Sequence, residues 1–187
     1  MKILNTSEYS EKLKIRPVDV KNLTVHKYFP SSNGQLHELL IELITERGPE
    51  CDLNDICTSN IKSMNMLFTN SKILQSFNGD ISLWDVSNVK TMSYMFHKSN
   101  FNGDISKWNV SNVELMYNMF SDAHYFNCNI SDWDVSKVIN MEAMFDNAAN
   151  FNQDLSSWNV GKNVKHEGMF HNCPMFKKRK KQPKFNK

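Results

Sequence analysis

Asp85 and Asp134 occupy one position of a repeating sequence, and of all pairs in the chain they come closest to acid–base chemistry. If repeats stack about 4.8 Å apart, groups two repeats apart are separated by roughly 10 Å. Retaining glycosidases hold their carboxyls about 5–5.5 Å apart and inverting ones about 6.5–9.5 Å apart. The spacing is too long for the first and marginal for the second, and no insertion nearby is large enough to wall a pocket. The histidines at 26, 37, 97, 124, 166 and 171 share no motif. His97 and His171 fall in one register but three repeats apart, too far to share a metal. Cys51, Cys57, Cys128 and Cys173 make neither a CxxC pair nor a Cys/His cluster at zinc spacing. Cys51 and Cys128 share a repeat position three repeats apart, roughly twice the reach of a disulfide, so free structural thiols are expected. No catalytic residue, cofactor site or metal site is expected, and the chain reads as non-enzymatic.

Binding is the remaining chemistry. Specificity is expected where the repeats disagree and point outward, at Leu83, Lys107, Asp132 and Ser157, flanked by Asp85, Asn109, Asp134 and Asn159. The second set forms an acidic-to-polar stripe about 15 Å long, either a face for a basic partner or solvated surface. Tyr94 and Tyr117 add outward aromatics of the kind enriched in interfaces. The other charged feature is the C-terminal run Lys177, Lys178, Arg179, Lys180 and Lys181, followed by Lys184 and Lys187. These seven basic residues, with no acidic one among them, leave the rest of a chain of net charge +2 at −5. A basic 5–8-mer is a nucleic-acid, anionic-surface or nuclear-targeting patch, or a tail that blocks further stacking.

The positions of these residues follow from the repeat. FNGDISLWDVSNVKTMSYMF at Phe77 returns at Phe101, Phe126 and Phe151, at spacings of 24, 25 and 25 residues. Such a period marks a stack of units, each burying its apolar face against its neighbours. The recurring columns are Phe, an aliphatic residue, Trp (Trp84, Trp108, Trp133, Trp158), Val, Met and Met-Phe. Ile81, Trp84 and Val86 have strand-like spacing, while Val89, Met92, Met95 and Phe96 follow about two helical or 3₁₀ turns. The expectation is an α/β repeat: a leucine-rich-repeat-like right-handed solenoid of about five coils with a parallel β-sheet on one side. The coils are expected at about 51–76, 77–100, 101–125, 126–150 and 151–176, ahead of a disordered basic tail at 177–187. Within them the Asn column (Asn78, Asn102, Asn127, Asn152) is expected to hydrogen-bond along the stack.

Residues 1–50 are expected to close the other end. Leu36, Leu39, Leu40, Leu43 and Ile44 form one stripe, predicting a capping helix over about 34–47, started by Ser32 or Asn33 and ended by Gly48-Pro49. Val18, Val20, Leu23 and Val25 hint at a short strand. No apolar run approaches the roughly 18 residues of a membrane span, and no signal peptide is visible.

The unit FNxDISxWDVSNVxxMxxMF resembles the BspA-like leucine-rich-repeat surface proteins, in the form known as the bacterial surface protein 26-residue repeat. The resemblance runs from Cys51 to about Phe176, and a helix followed by CDLNDI resembles that family's lead-in. It implies a leucine-rich-repeat-like solenoid, a role in adhesion or other protein–protein contact, and a place at the cell surface. With neither a signal peptide nor a lipoprotein cysteine near the start, a cytoplasmic place or an unconventional route is the expectation for this chain. The expected function is a protein-interaction module acting as a monomer on another protein, with anionic-partner binding through the tail as the alternative.

Overall fold

The computed structural model describes residues 25–185, so of the strand hinted at by Val18, Val20, Leu23 and Val25 only Val25 is within view, exposed and outside any strand. Among the described residues the one long helix, α1, spans Asn33–Arg47. The Ser32 hydroxyl accepts the Gln35 N–H at its start. Gly48, at φ 89°, ends it by returning its N–H to the Ile44 carbonyl, a conformation that favours glycine. Leu36, Leu40, Leu43 and Ile44 are buried. α1 is fixed to the first repeat at both ends. The Asn33 amide donates to the Asn65 carbonyl at 3.0 Å, and the Arg47 fork grips both carboxylate oxygens of Asp55 at 3.1 and 3.2 Å. The same guanidinium donates to the Tyr28 hydroxyl at 3.1 Å. A short helix, α2 (Lys72–Gln75), fills the insertion between the first two repeats and packs against α1.

The repeats correct the expected α/β solenoid with its parallel β-sheet. Among the described residues there is no β-strand; pairing is reduced to isolated parallel bridges such as Ser63–Thr91, Thr91–Leu115, Leu115–Asn140 and Asn140–Lys165. The cause lies in the polar residues between the apolar ones. In Asp-Ile-Ser the carboxylate of Asp80 accepts the Ser82 N–H at 2.8 Å, and Asp104, Asn129 and Asp154 do the same for Ser106, Ser131 and Ser156. Asp85, Asn109 and Asp134 capture the N–H groups of Ser87, Ser111 and Ser136 in turn. Trp84, Trp108, Trp133 and Trp158 each donate their backbone N–H to the aliphatic carbonyl three residues back. Local partners therefore take the N–H groups that a ladder would need, and the segment becomes a series of tight turns.

The Met-Phe segment is not helical either. Met66, Tyr94, Asn118, Ala143 and Gly168 occupy one register with φ from 51° to 65°, as do Lys98, Asp122, Asn147 and Asn172 in a second. A left-handed residue in each turn prevents an α-helix from propagating. Instead the bonding alternates. Met95, His97 and Ser99 donate within their own repeat, to Met92, Tyr94 and Phe96. Met92, Tyr94, Phe96 and Lys98 donate across it, to Leu115, Tyr117, Met119 and Ser121 at 2.9–3.1 Å. The following two junctions repeat the pattern, with 116, 118, 120 and 122 donating to 140, 142, 144 and 146, and 141, 143, 145 and 147 to 165, 167, 169 and 171.

Side chains lock the same register. Phe68, Phe96, Phe120, Phe145 and Phe170 form a column with successive ring centroids 5.2, 5.5, 5.6 and 5.7 Å apart and planes within 5° of parallel. Each Trp indole N–H donates to an apolar residue's carbonyl one repeat earlier: Trp84 to Leu53, Trp108 to Ile81, Trp133 to Ile105 and Trp158 to Ile130, at 3.0–3.1 Å. The indole thus buries its apolar body without orphaning its donor. At the turn, a Cβ on Gly79 would collide with the Cys51 carbonyl, so glycine there permits close approach of neighbouring repeats.

The basic segment also differs from the disordered tail expected. Pro174–Lys177 and Arg179–Lys181 form two 3₁₀ turns laid back on the last repeat. The Leu155 N–H donates to the Lys181 carbonyl at 2.8 Å, and the Gln182 amide to the Met175 carbonyl at 2.6 Å. Buried Met175 and Pro183 anchor the segment, which explains why its charge does not leave it in solution.

Candidate functional site

Two kinds of exposed residue share the turn face. Asp85, Asn109 and Asp134 are exposed, but each spends a side-chain oxygen on the N–H two residues ahead, at 3.0, 3.2 and 3.0 Å. Bonds from the Ser136 hydroxyl and N–H hold the Asp134 carboxyl below its ordinary value. This column shapes the turns. Asn159 lies in the same exposed column. Leu83, Lys107, Asp132 and Ser157 are the other kind. Leu83 leaves 61% of its surface exposed, and Lys107 is exposed with no side-chain hydrogen bond. Asp132 accepts a 3.4 Å bond from the Ser131 hydroxyl, and the Ser157 hydroxyl reaches the Ser131 carbonyl at 2.9 Å. This second column is laid out on rigid turns with its chemistry largely uncommitted.

Between the third and fourth repeats the column borders a shallow groove of about 400 Å³, lined by Asn102, Asp104, Lys107, Cys128 and Asp132 among others. It brings Lys107 and Asp132 together, which sequence spacing placed in neighbouring repeats. Burial pushes the groove's Cys128 thiol up, and its Sγ lies 3.7 Å from the Asp104 carboxylate. Burial likewise raises Cys51 and Cys173, and all four cysteines are free. A thiol held protonated is a poor nucleophile and a poor metal ligand.

Three histidines, His97, His124 and His171, are tied to backbone or carboxylate oxygens. His97 Nδ1 lies 3.0 Å from the Ser121 carbonyl, and burial holds its pKa below the ordinary imidazole value. His171 Nδ1 meets Asp146 at 2.8 Å and His124 Nδ1 meets the Asn147 carbonyl at 2.9 Å. Among the described residues no three His, Cys, Asp or Glu side chains gather as a metal site, and no helix is long and apolar enough to cross a membrane. Tyr94 and Tyr117 are half-buried and packed edge-to-face at 4.9 Å.

Of the basic residues, Lys177, Lys178, Arg179, Lys180 and Lys184 are exposed. Lys178 and the half-buried Lys181 lay their ammonium groups on the Asn152 side-chain and main-chain oxygens, at 2.6 and 3.4 Å. A feature with no signal in the composition lies beside them. A cleft of about 520 Å³ opens at the last repeat between His166, Gly168, Phe170, Phe176, Arg179 and Phe185. Phe176 is 62% exposed at its rim.

A family model described as "Mycoplasma protein of unknown function, DUF285" matches residues 45–128 and 62–184. Neither a curated protein nor a solved structure matches the chain.

Proposed function

The chain belongs to the DUF285 family of Mycoplasma proteins of unknown function, and from that premise we propose that it is a non-catalytic protein-binding module. The observation that carries this reading is the division of labour on the turn face. The recurring carboxylates and amides close backbone turns, whereas the varying column of Leu83, Lys107, Asp132 and Ser157 stands exposed on the frame they build. A rigid scaffold presenting variable side chains at fixed spacing is how repeat proteins bind partners. The mixed character of the column, one aliphatic, one cationic and one anionic residue, suits a partner surface with an apolar spot beside a pair of opposite charges. The resemblance to BspA-like surface proteins supports an adhesive role for this face.

The test is affinity capture with the whole chain, comparing wild type with Leu83→Glu/Lys107→Glu. Neither side chain holds a turn, so the fold is expected to survive. A protein retained by wild type and lost by the variant, at unchanged thermal stability, supports the reading. Identical captured sets sink it.

A further inference from the structure

Every junction of the stack obeys one rule: alternate N–H groups of a Met-Phe segment donate to alternate carbonyls of the next. The last repeat breaks it. His166, Gly168, Phe170 and Asn172 occupy the donor positions held one repeat earlier by Met141, Ala143, Phe145 and Asn147, yet among the described residues their N–H groups have no acceptor. The intervening residues Met169, His171 and Cys173 make their local bonds to His166, Gly168 and Phe170 as in other repeats. The segment therefore has the geometry of an interior rung with a row of four donors open on one side. Phe170 itself is 95% buried.

This donor row lines a pair of adjoining clefts. His166, Gly168 and Phe170 face the 520 Å³ cleft, Asn172 a neighbouring one of about 460 Å³, and Phe176 stands between them in both. Phe185 stacks on the His166 ring at 3.8 Å and forms one wall, with Arg179 above. Residues 162–185 carry eight Lys and Arg against the single acid Glu167. The opposite end offers no such edge, because α1 covers it and Asn33 takes the Asn65 carbonyl.

We infer that this edge is a peptide-binding site, taking an acidic segment as a further rung of the stack. Its alternate carbonyls accept from His166, Gly168, Phe170 and Asn172. Its apolar side chains sit between Phe176 and Phe185, and its carboxylates meet Arg179 and the exposed lysines. This is edge addition, in which main-chain bonds supply affinity and flanking pockets supply selectivity. The site is separate from the Leu83–Ser157 column.

The probe is a fluorescein-labelled, end-blocked peptide copying residues 139–148, INMEAMFDNA. Its carbonyls at Asn140, Glu142, Met144 and Asp146 already accept from such a row in the interior, and it carries two acids. Saturable binding to the whole chain is expected, with amide hydrogen exchange at 166, 168, 170 and 172 slowing by about tenfold or more. Arg179→Glu should weaken binding about tenfold, as loss of a charge-assisted contact does. Phe185→Ala provides a second, independently folded check, and Leu83→Glu/Lys107→Glu should bind like wild type. Absence of binding overturns the inference. So does binding that protects only residues 177–184, or protection of the four amides already complete without peptide.

Discussion

The Lys178 ammonium donates to the Asn152 side-chain oxygen at 2.6 Å, filling the acceptor that each earlier rung offers to the next asparagine. Asn102, Asn127 and Asn152 donate their backbone N–H groups to the side chains of Asn78, Asn102 and Asn127 at 2.8, 2.7 and 3.0 Å. A lysine ends this column where a fifth asparagine would continue it. The same segment leaves the Met-Phe donor row open a short distance away. The end of the stack is thus closed along one column and receptive along another, which separates the lysines bonded to Asn152, Lys178 and Lys181, from Lys177, Arg179, Lys180 and Lys184, which make no such bond.

The asparagine column gives the first prediction. Asn127→Ala removes the acceptor of the Asn152 N–H and of the Gln153 amide, and should cost about 0.5–1.5 kcal/mol in urea unfolding. Asn127→Asp keeps the acceptor and should cost less. Equal losses for both would show that the column's bonds do not hold the stack.

The Phe and Trp columns should behave differently from each other. Phe120 is fully buried between Phe96 and Phe145, so Phe120→Ala should cost about 3–5 kcal/mol through lost burial and the cavity left behind. Trp133→Phe removes less apolar area but leaves the Ile105 carbonyl without its indole donor. That carbonyl still accepts the Trp108 backbone N–H, so a further cost of about 0.5–1.5 kcal/mol for the lost bond is expected. Denaturant midpoints at unchanged m-values would measure both.

The apolar columns were legible because repetition forces register: recurring Phe, Trp, Val and Met positions read from the sequence are buried in every repeat from Phe77 to Trp158. Helix α1 was legible from its stripe and caps, Ser32 and Gly48. The absent sheet was not, because Ile81, Trp84 and Val86 share their spacing with a strand while Asp80 and Asp85 take the N–H groups locally. Left-handed Tyr94 and Ala143 carry no compositional signal, whereas Gly168 and Asn118 in the same register do. The donor row at His166–Asn172 follows only from the bonding rule of the stack.

Acid should unfold the chain through its turn carboxylates. Bonds from the Ser106 N–H and hydroxyl hold Asp104 low, and those from Ser136 and Ser156 do so for Asp134 and Asp154. Burial pushes Asp80 up, but the Ser82 N–H and hydroxyl bonds outweigh it and leave this carboxyl lowered too. Because folded values lie below unfolded ones, the stabilisation is complete above the unfolded range near pH 4 and is lost as pH falls through the folded values. Asn109 and Asn129 already fill equivalent positions with an uncharged acceptor. Replacing Asp104, Asp134 and Asp154 by Asn should therefore flatten the thermal midpoint between pH 5 and pH 2.5 while leaving it little changed at pH 7. A variant as acid-sensitive as wild type would place the titration elsewhere.

Ala143 supplies a test of backbone strain. Its φ of 51° lies in the left-handed region, where a Cβ costs roughly 1–2 kcal/mol, and the next repeat places Gly168 at the same register. Glycine also loses more freedom on folding, which offsets about 0.5–1 kcal/mol of the gain. Ala143→Gly should thus stabilise the chain by roughly 0.5–1 kcal/mol. The control is Ala148→Gly, at a buried position one turn later with no positive φ. That change removes a packed methyl without relieving strain and should destabilise. Opposite signs for the two alanines in urea unfolding would tie the effect to the left-handed turn, and the same sign would refute it.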